Sequence, residues 1–142
     1  MPTVNVSVSS PLPPEEVLRI LTDFGPSRAK AWAGVDDDHL KVHEQGDGWA
    51  DVTEGNKIGW ERERYVWDAA AGTVSAVTND SNLWGPGSRW EYNLTPENGG
   101  TRVDITLQRH GKGIKGKLIG ALLPLIGKKM IKAGVSGALR SS

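Results

Sequence analysis

Alternating apolar and polar residues predict β-strands over most of this chain. In Thr3–Ser9, three valines alternate with Asn5, Ser7 and Ser9, which is typical of a strand with one buried face. Further segments of this kind are separated by short turn-forming sequences, so we expect an antiparallel meander. The seven predicted strands are Thr3–Ser9, His39–Gln45, Trp49–Thr53, Ile58–Asp68, Thr73–Thr78, Ser88–Thr95 and Thr101–His110.

Three helices are predicted from other spacings. Pro14 suits the first turn of a short helix that ends before Gly25, and a second short helix around Ser27–Ala33 presents Trp32. In Gly113–Leu139, apolar residues recur every three or four positions, which predicts a long helix. Pro124 predicts a kink or break in it. Its glycines cost about 1 kcal/mol each relative to alanine, so close packing or a need for mobility must compensate.

These elements predict a single α+β domain over residues 1–142. A sheet with one buried face needs a cover, and only the C-terminal helix is long enough to provide it. We therefore expect a seven-stranded antiparallel sheet wrapped around that helix, with the two short helices after the first strand. Such an arrangement leaves a cavity, and we expect its entrance at the longest predicted loop, Asn79–Gly87, with Gly85-Pro86-Gly87 as a hinged lid.

Composition narrows the function classes. The chain has no cysteine, which excludes disulfides, thiolate nucleophiles and zinc–thiolate sites. It is 37% hydrophobic and 24% charged, lacks an apolar run long enough to span a membrane, and begins without a signal-peptide pattern, so we expect a cytoplasmic protein. No familiar catalytic motif occurs. His39 and His43 would lie about 13 Å apart in one strand, too far for a shared metal, and we expect no metal or cofactor.

The glycine-rich segment 111–116 matches G-x-G-x-x-G before the long helix. Only 26 residues follow it, which leaves no room for the second parallel strand of a dinucleotide-binding unit. We therefore do not interpret it as a dinucleotide site. Its glycines and nearby lysines at a helix N-terminus leave anion binding as a weaker hypothesis.

The net charge of zero hides an asymmetry. Residues 1–108 contain 9 Lys or Arg and 17 Asp or Glu, whereas residues 109–142 contain 8 Lys or Arg and no acid. Either the basic segment packs on the acidic body with its lysines solvated, or residues 109–140 make weak contact with an anionic membrane surface. No basic–aromatic motif occurs, so we expect no nucleic-acid partner.

Apolar side chains on two neighbouring strands predict a wall that faces the long helix. Trp90 and Tyr92 share one face of their strand, and Val103 and Ile105 share one face of the next. Core packing explains this pattern, but six tryptophans beside one phenylalanine favour a partly wet ligand-binding surface. The predicted ligand-binding residues are Trp32, Trp60, Trp84, Trp90, Tyr92, Val103, Ile105, Leu118, Leu122 and Ile126.

The strand Ile58–Asp68 contains the most informative polar pattern, in which Glu and Arg alternate over residues 61–64. Both faces of this strand carry aromatic residues, and we favour an inward face with Trp60, Arg62 and Arg64. One hypothesis is an exposed ladder of cross-strand ion pairs. The other is a guanidinium that binds a ligand's carboxylate, phenolate or enolate in the cavity.

The order of elements and several short motifs resemble the START-like superfamily (Bet v 1-like, SRPBCC or helix-grip). The nearest likeness is to its bacterial polyketide cyclase/dehydrase and lipid-transport branch. The motifs are Val4-Asn5-Val6-Ser7-Val8-Ser9-Ser10-Pro11 before Pro14-Glu15-Glu16-Val17, then Trp32, Trp60, Asp68 with Gly72-Thr73-Val74, Trp90-Glu91-Tyr92-Asn93-Leu94-Thr95-Pro96 and Gly99-Gly100-Thr101-Arg102-Val103. The glycine-rich helix with Pro124 departs from the more regular helix usual there.

This resemblance implies binding of a small hydrophobic molecule, such as a lipid, a polyketide or another aromatic, as a carrier or sensor. A second hypothesis is a cyclase or dehydrase, for which Arg62, Arg64 and Tyr92 are the candidate catalytic residues. A third is an interaction or membrane-surface module that uses the basic helix. The sequence does not decide whether there is turnover or what the oligomeric state is.

Overall fold

The computed structural model describes residues 2–140. They form one seven-stranded sheet, two short helices and one long C-terminal helix, which confirms the helix-grip α+β architecture. In chain order the elements are β1 (Thr3–Ser10), α1 (Pro14–Leu21), α2 (Arg28–Ala31), a 3-10 turn (Asp37–His39), β2 (Lys41–Gly46), β3 (Trp49–Gly55), β4 (Trp60–Asp68), β5 (Thr73–Ser81), β6 (Arg89–Glu97), β7 (Gly100–Gln108) and α3 (Gly113–Arg140).

The sheet is antiparallel throughout. Its spatial order is β1-β7-β6-β5-β4-β3-β2, so β2 to β7 form the predicted meander and β1 pairs with β7. The β6–β7 hairpin turns at Asn98 and Gly99, whose φ angles are 50° and 82°. A two-residue hairpin turn of this type needs positive φ at both positions, which Asn-Gly adopts at low cost.

Several predicted strand bounds differ from the structure by up to three residues, and two of these differences affect the predicted site. β5 continues to Ser81, so the first three residues of the predicted 79–87 loop belong to a strand. His39 lies in the 3-10 turn, where its Nδ1 is 2.7 Å from Asp36 Oδ1, and not on a strand face with His43. Within residues 2–140, no cluster of His, Asp and Glu side chains is arranged to hold a metal ion.

α1 covers part of the sheet beside β6 and β7. It starts at Pro14, with Glu15 and Glu16 at the positive end of its dipole. Its Val17, Ile20 and Leu21 are buried and join the sheet's core. α2 is a single turn that places Arg28 over the same sheet face, and this placement determines the chemistry of that face.

α3 is one continuous helix through Pro124, so of the predicted kink or break the break does not occur. The buried side of the helix includes Gly116, Gly120 and Gly127. A Cβ added to Gly116 would lie 2.2 Å from the Leu83 carbonyl oxygen, and one on Gly127 would lie 3.0 Å from Val4 Cγ2. Close packing against β1 and the β5–β6 loop therefore compensates for the low helix propensity of glycine.

Candidate functional site

β4 turns the opposite face inward from the one favoured by its sequence. Glu63 and Tyr65 are buried, whereas Arg64 and Val66 are exposed and Val66 keeps 50% of its surface. The expectation of an inward Arg62 and Arg64 is therefore wrong. The physical reason is that charge compensation for the inner face comes from arginines elsewhere in the chain.

The outer face of β4 carries the ion-pair ladder that was the alternative hypothesis. Arg62 makes two hydrogen bonds of 2.9 Å to Asp51 on β3. The Arg64 guanidinium lies 4.4 Å from the ring centre of Trp49. Both contacts join neighbouring strands on the surface, so these arginines do not reach the inner face as candidate catalytic groups.

Arg28 is the centre of the first buried cluster on the inner face. Its Nε donates to Glu54 Oε1 at 2.7 Å, and its Nη2 donates to Tyr65 Oη at 2.9 Å. Its Nη1 donates to the carbonyl oxygens of Leu21 and Asp23, both at 3.1 Å. Tyr65 Oη donates to Glu54 Oε2. The cluster thus joins α2, the end of α1, β3 and β4 through one guanidinium.

Arg109 is the centre of the second buried cluster. It binds Glu61 through two hydrogen bonds, 3.0 Å from Nη1 to Oε1 and 2.7 Å from Nη2 to Oε2. Thr78 Oγ1 donates to the same carboxylate at 2.8 Å. The guanidinium lies 5.0 Å and 5.5 Å from the ring centres of Trp84 and Trp90. Two of the predicted ligand-binding tryptophans therefore stack against a buried cation.

Glu63 is a carboxyl group buried near both clusters, with 1% of its surface exposed. Burial raises its pKa well above the usual range, and the negative charges of Glu61 and Glu54 raise it further. No hydrogen-bond donor in residues 2–140 reaches Glu63 Oε2. The charge of Glu54 acts on the pKa of Glu63, so a proton on one of the two carboxyl groups relieves their repulsion.

Of the two carboxyl groups, Glu63 is the one that is protonated. Burial alone would raise the pKa of Glu54, but the charge and hydrogen bond of Arg28 outweigh burial and lower it. Burial also raises the pKa of Tyr65 and of Tyr92, so both phenols keep their protons. The inner face thus presents neutral hydroxyl and carboxyl groups between two paired guanidiniums.

The predicted ligand-binding residues divide into three groups. Those on the inner side are buried or half-buried: Trp84, Trp90, Tyr92, Val103 and Ile105. Trp32 lines a surface cleft, and Trp60 lies half-buried on the outer side of β4. Leu118, Leu122 and Ile126 are 65%, 48% and 46% exposed on α3. The expectation that these three close a cavity from the helix is therefore wrong, because the glycine side of α3 is the side that packs.

Two clefts open on the surface of the described chain. One, of about 280 Å³, lies between the end of β1 and the β6–β7 turn. The other, of about 230 Å³, lies between α1 and α2, and its lining includes Ile20, Ala31, Trp32 and Arg28. Neither lies between the sheet and α3, where the sequence predicted a hollow. The second cleft opens beside the buried Arg28 cluster.

The predicted lid is held in place. Gly85 N donates to the His110 carbonyl at 2.8 Å, and Lys112 N donates to the Leu83 carbonyl at 2.7 Å. Trp84 is buried against the core. The 79–87 segment is therefore packed under the start of α3, and the α1–α2 cleft is the better candidate for an entrance.

Five residues of the buried clusters were not predicted as site residues from the sequence: Arg28, Glu54, Glu63, Tyr65 and Arg109. Two of them had a usable signal. Glu54 continues the alternation of Ala50 and Val52, and Arg109 continues that of the apolar residues on β7. A charged residue that extends a buried alternation at a strand end indicates a paired inner-face charge.

The seven-stranded antiparallel sheet and the long C-terminal helix define the helix-grip class of α+β folds. The sequence matches the family described as polyketide cyclase / dehydrase and lipid transport over residues 1–140, and the chain belongs to that family. The search of curated proteins found no match.

Solved structures share the fold. A protein from Thermus thermophilus is 19% identical, with 98% of this chain and 95% of that one covered and a TM-score of 0.80. A Streptomyces aromatase/cyclase, Zhui, is 14% identical, with coverage of 98% and 92% and a TM-score of 0.81. A START superfamily protein from Mycobacterium smegmatis is 13% identical, with complete coverage of both chains and a TM-score of 0.76. At these identities the likeness establishes the fold alone.

Proposed function

We propose that this protein binds a small hydrophobic molecule, such as a lipid, a polyketide or another aromatic, as a cytoplasmic carrier or sensor. One observation carries the proposal: the inner face buries charged and hydroxyl groups among aromatic rings. Well-packed apolar residues in place of a buried ion pair are often as stable or more stable. Stability alone therefore does not account for this face, whereas recognition of an apolar ligand with a few oxygen atoms does.

The entrance we propose is the α1–α2 cleft. The Trp32 ring lies 5.2 Å from the Arg28 guanidinium, so an aromatic ligand there would meet an indole face and a cation. Trp90 and Tyr92 stack with their ring centres 6.1 Å apart deeper on the inner face. Ligand passage from the cleft to these rings requires α2 to move away from the sheet.

A cleft-filling variant tests this proposal. Native mass spectrometry of freshly purified protein should show a co-purified molecule, and 2-naphthol serves as a defined probe in titrations of tryptophan fluorescence. Ala31→Trp fills the cleft, so we expect at least tenfold weaker 2-naphthol binding. Ala69→Trp, on an exposed turn, is the matched control and should bind as the wild type does. Absence of both a co-purified molecule and 2-naphthol binding would refute the proposal.

A second candidate function is a cyclase or dehydrase, and Glu63 is the observation that favours it. A protonated carboxyl in an apolar setting can donate a proton to a ligand oxygen and recover it, which is how acid–base catalysis works at neutral pH. Tyr92, on the same face, retains a phenolic proton as a second donor. The candidate acid is therefore Glu63, in place of Arg62 and Arg64.

Turnover separates the two functions. A synthetic poly-β-ketone thioester is the probe, and loss of water from it is followed by mass spectrometry. If the protein is an enzyme, Glu63→Gln should abolish turnover while 2-naphthol binding persists. The double variant R62A/R64A, on the outer face, should keep full turnover. Binding without dehydration by the wild type would leave the carrier or sensor function alone.

A further inference from the structure

The outward side of α3 is covered with exposed apolar side chains. We call Ile114, Leu118, Leu122, Leu125, Ile126 and Met130 the apolar stripe. Between 46% and 82% of each of these side chains is exposed. The spacing of four, four and three residues puts Ile114, Leu118, Leu122 and Leu125 on one side of the helix, and Ile126 and Met130 extend the exposed apolar surface beside them. The opposite side carries the glycines that pack on β1, so the apolar stripe has no partner within residues 2–140.

Basic residues lie among and beside the side chains of the apolar stripe. Lys115, Lys117, Lys128, Lys129 and Lys132 are all exposed. None of these five lysines forms an ion pair with a carboxylate in the described chain. Lys112, just before α3, lies 3.9 Å from Asp80. Residues 109–142 contain eight Lys or Arg and no acid. An exposed apolar face interspersed with unpaired lysines matches the chemistry of an anionic lipid surface.

A second copy of the chain is a poorer occupant. A symmetric pair would place two such faces against each other and would bring the unpaired lysines of both copies together. Complete insertion is also a poorer solution, because no described helix is long and apolar enough to cross a bilayer. A helix lying in the plane of the interface satisfies both observations, with the apolar stripe down and the lysine side chains reaching the headgroups.

We propose that α3 docks this protein on anionic membrane surfaces through the apolar stripe and its lysines. The sheet and the α1–α2 cleft are then held on the solvent side of the helix. This function is separate from ligand binding, because the two surfaces share no residue.

Vesicle binding tests the proposal. The full chain is mixed with vesicles of phosphatidylcholine alone or with added phosphatidylglycerol, and bound protein is measured by co-sedimentation. We expect binding to the anionic vesicles only, with loss in high salt. L118S/L125S should bind at least tenfold more weakly. Removal of Lys128 and Lys129 as K128Q/K129Q should weaken binding about fivefold for each lysine, from about 1 kcal/mol per residue near the surface.

Controls keep the result specific. Val66→Ser removes an exposed apolar residue from the outer face of the sheet and should bind as the wild type does. Ala31→Trp should also keep vesicle binding, so failure of docking and failure of the proposed ligand site are distinguishable. Equal binding to both vesicle types, or none at low salt, would overturn the proposal. So would a dimer, seen by analytical ultracentrifugation, that L118S/L125S dissociates.

Discussion

The two faces of β4 both combine charged and aromatic side chains, but one face is buried and the other is exposed. The inner face has Glu61, Glu63 and Tyr65, and the outer face has Trp60, Arg62 and Arg64. Inner charges pair with arginines from distant parts of the chain, whereas Arg62 pairs with the neighbouring strand. The burial of a charged side chain therefore decides what the loss of its partner costs.

The two faces of β4 differ because solvent reaches the charged side chains of the outer face but not those of the inner face. Arg62 keeps 43% of its side chain exposed, and Arg28 keeps 4%. A solvated arginine that loses its partner is rehydrated, whereas a buried carboxylate that loses its arginine has no such compensation. Each face therefore predicts a different response to loss of one arginine.

The largest effect is expected from Arg28→Ala. It leaves Glu54 charged and buried and removes the donors to the Leu21 and Asp23 carbonyls. We expect a loss of about 3–5 kcal/mol in the free energy of unfolding, measured by urea denaturation. The double variant R28M/E54M removes both charges and should recover most of this loss. A loss below about 1 kcal/mol for Arg28→Ala would show that the pair is solvated.

Two glycines of α3 with different surroundings give the next contrast. Gly116→Ala places a methyl group against the Leu83 carbonyl and should cost about 1–3 kcal/mol in unfolding free energy. Gly134→Ala meets nothing within 4 Å and should stabilise by roughly 0.5–1 kcal/mol, because alanine is the better helix former. Thermal unfolding by circular dichroism measures both. Equal stabilisation by the two substitutions would mean that the glycine side is not closely packed.

Glu63→Gln should change how stability depends on pH. In the unfolded chain Glu63 ionises near its ordinary pKa of 4.5, but the folded protein holds the proton to a higher pH. Between these two pKa values, unfolding releases a proton, so wild-type stability falls as pH rises, by about 1.4 kcal/mol per pH unit. The variant lacks this loss, so its stability relative to wild type should rise through that window.

Urea denaturation from pH 4 upward measures the effect. At the low end, where Glu63 is protonated in both states, the two proteins should have similar stability. Parallel pH profiles of variant and wild type would show that the Glu63 carboxyl is ionised in the folded protein, and the candidate acid would then be lost.

The smallest effect is expected on the outer face. Arg62→Ala breaks the pair with Asp51, and we expect a loss of about 0.2–1 kcal/mol that diminishes in high salt. The measurement is the same urea titration at low and high ionic strength. A salt-independent loss as large as that of Arg28→Ala would remove the distinction between the two faces.

Much of the fold could be predicted from local patterns. The valine alternation in Thr3–Ser9, the Asn98-Gly99 turn and the proline before Glu15 each act over a few residues, and each matches the structure. The candidate site could be predicted only in part. Local patterns predicted that Trp84, Trp90 and Tyr92 face the ligand. The buried charged groups near them were not predicted, although Glu54 and Arg109 each extend a buried alternation that could have indicated them.

The sequence by itself determined the order of strands and turns, the long helix and the separation of charge between residues 1–108 and 109–142. Tertiary structure alone decided which face of β4 and which side of α3 would be buried. Alternation shows which residues share a face, but not which face meets the core. That choice depends on partners remote in sequence, since Arg28 compensates Glu54, 26 positions away, and Arg109 compensates Glu61, 48 positions away. In the first half of α3, close approach to the Leu83 carbonyl and to Val4 required glycine, so the side with the glycines packed and most of the bulky apolar residues there faced out.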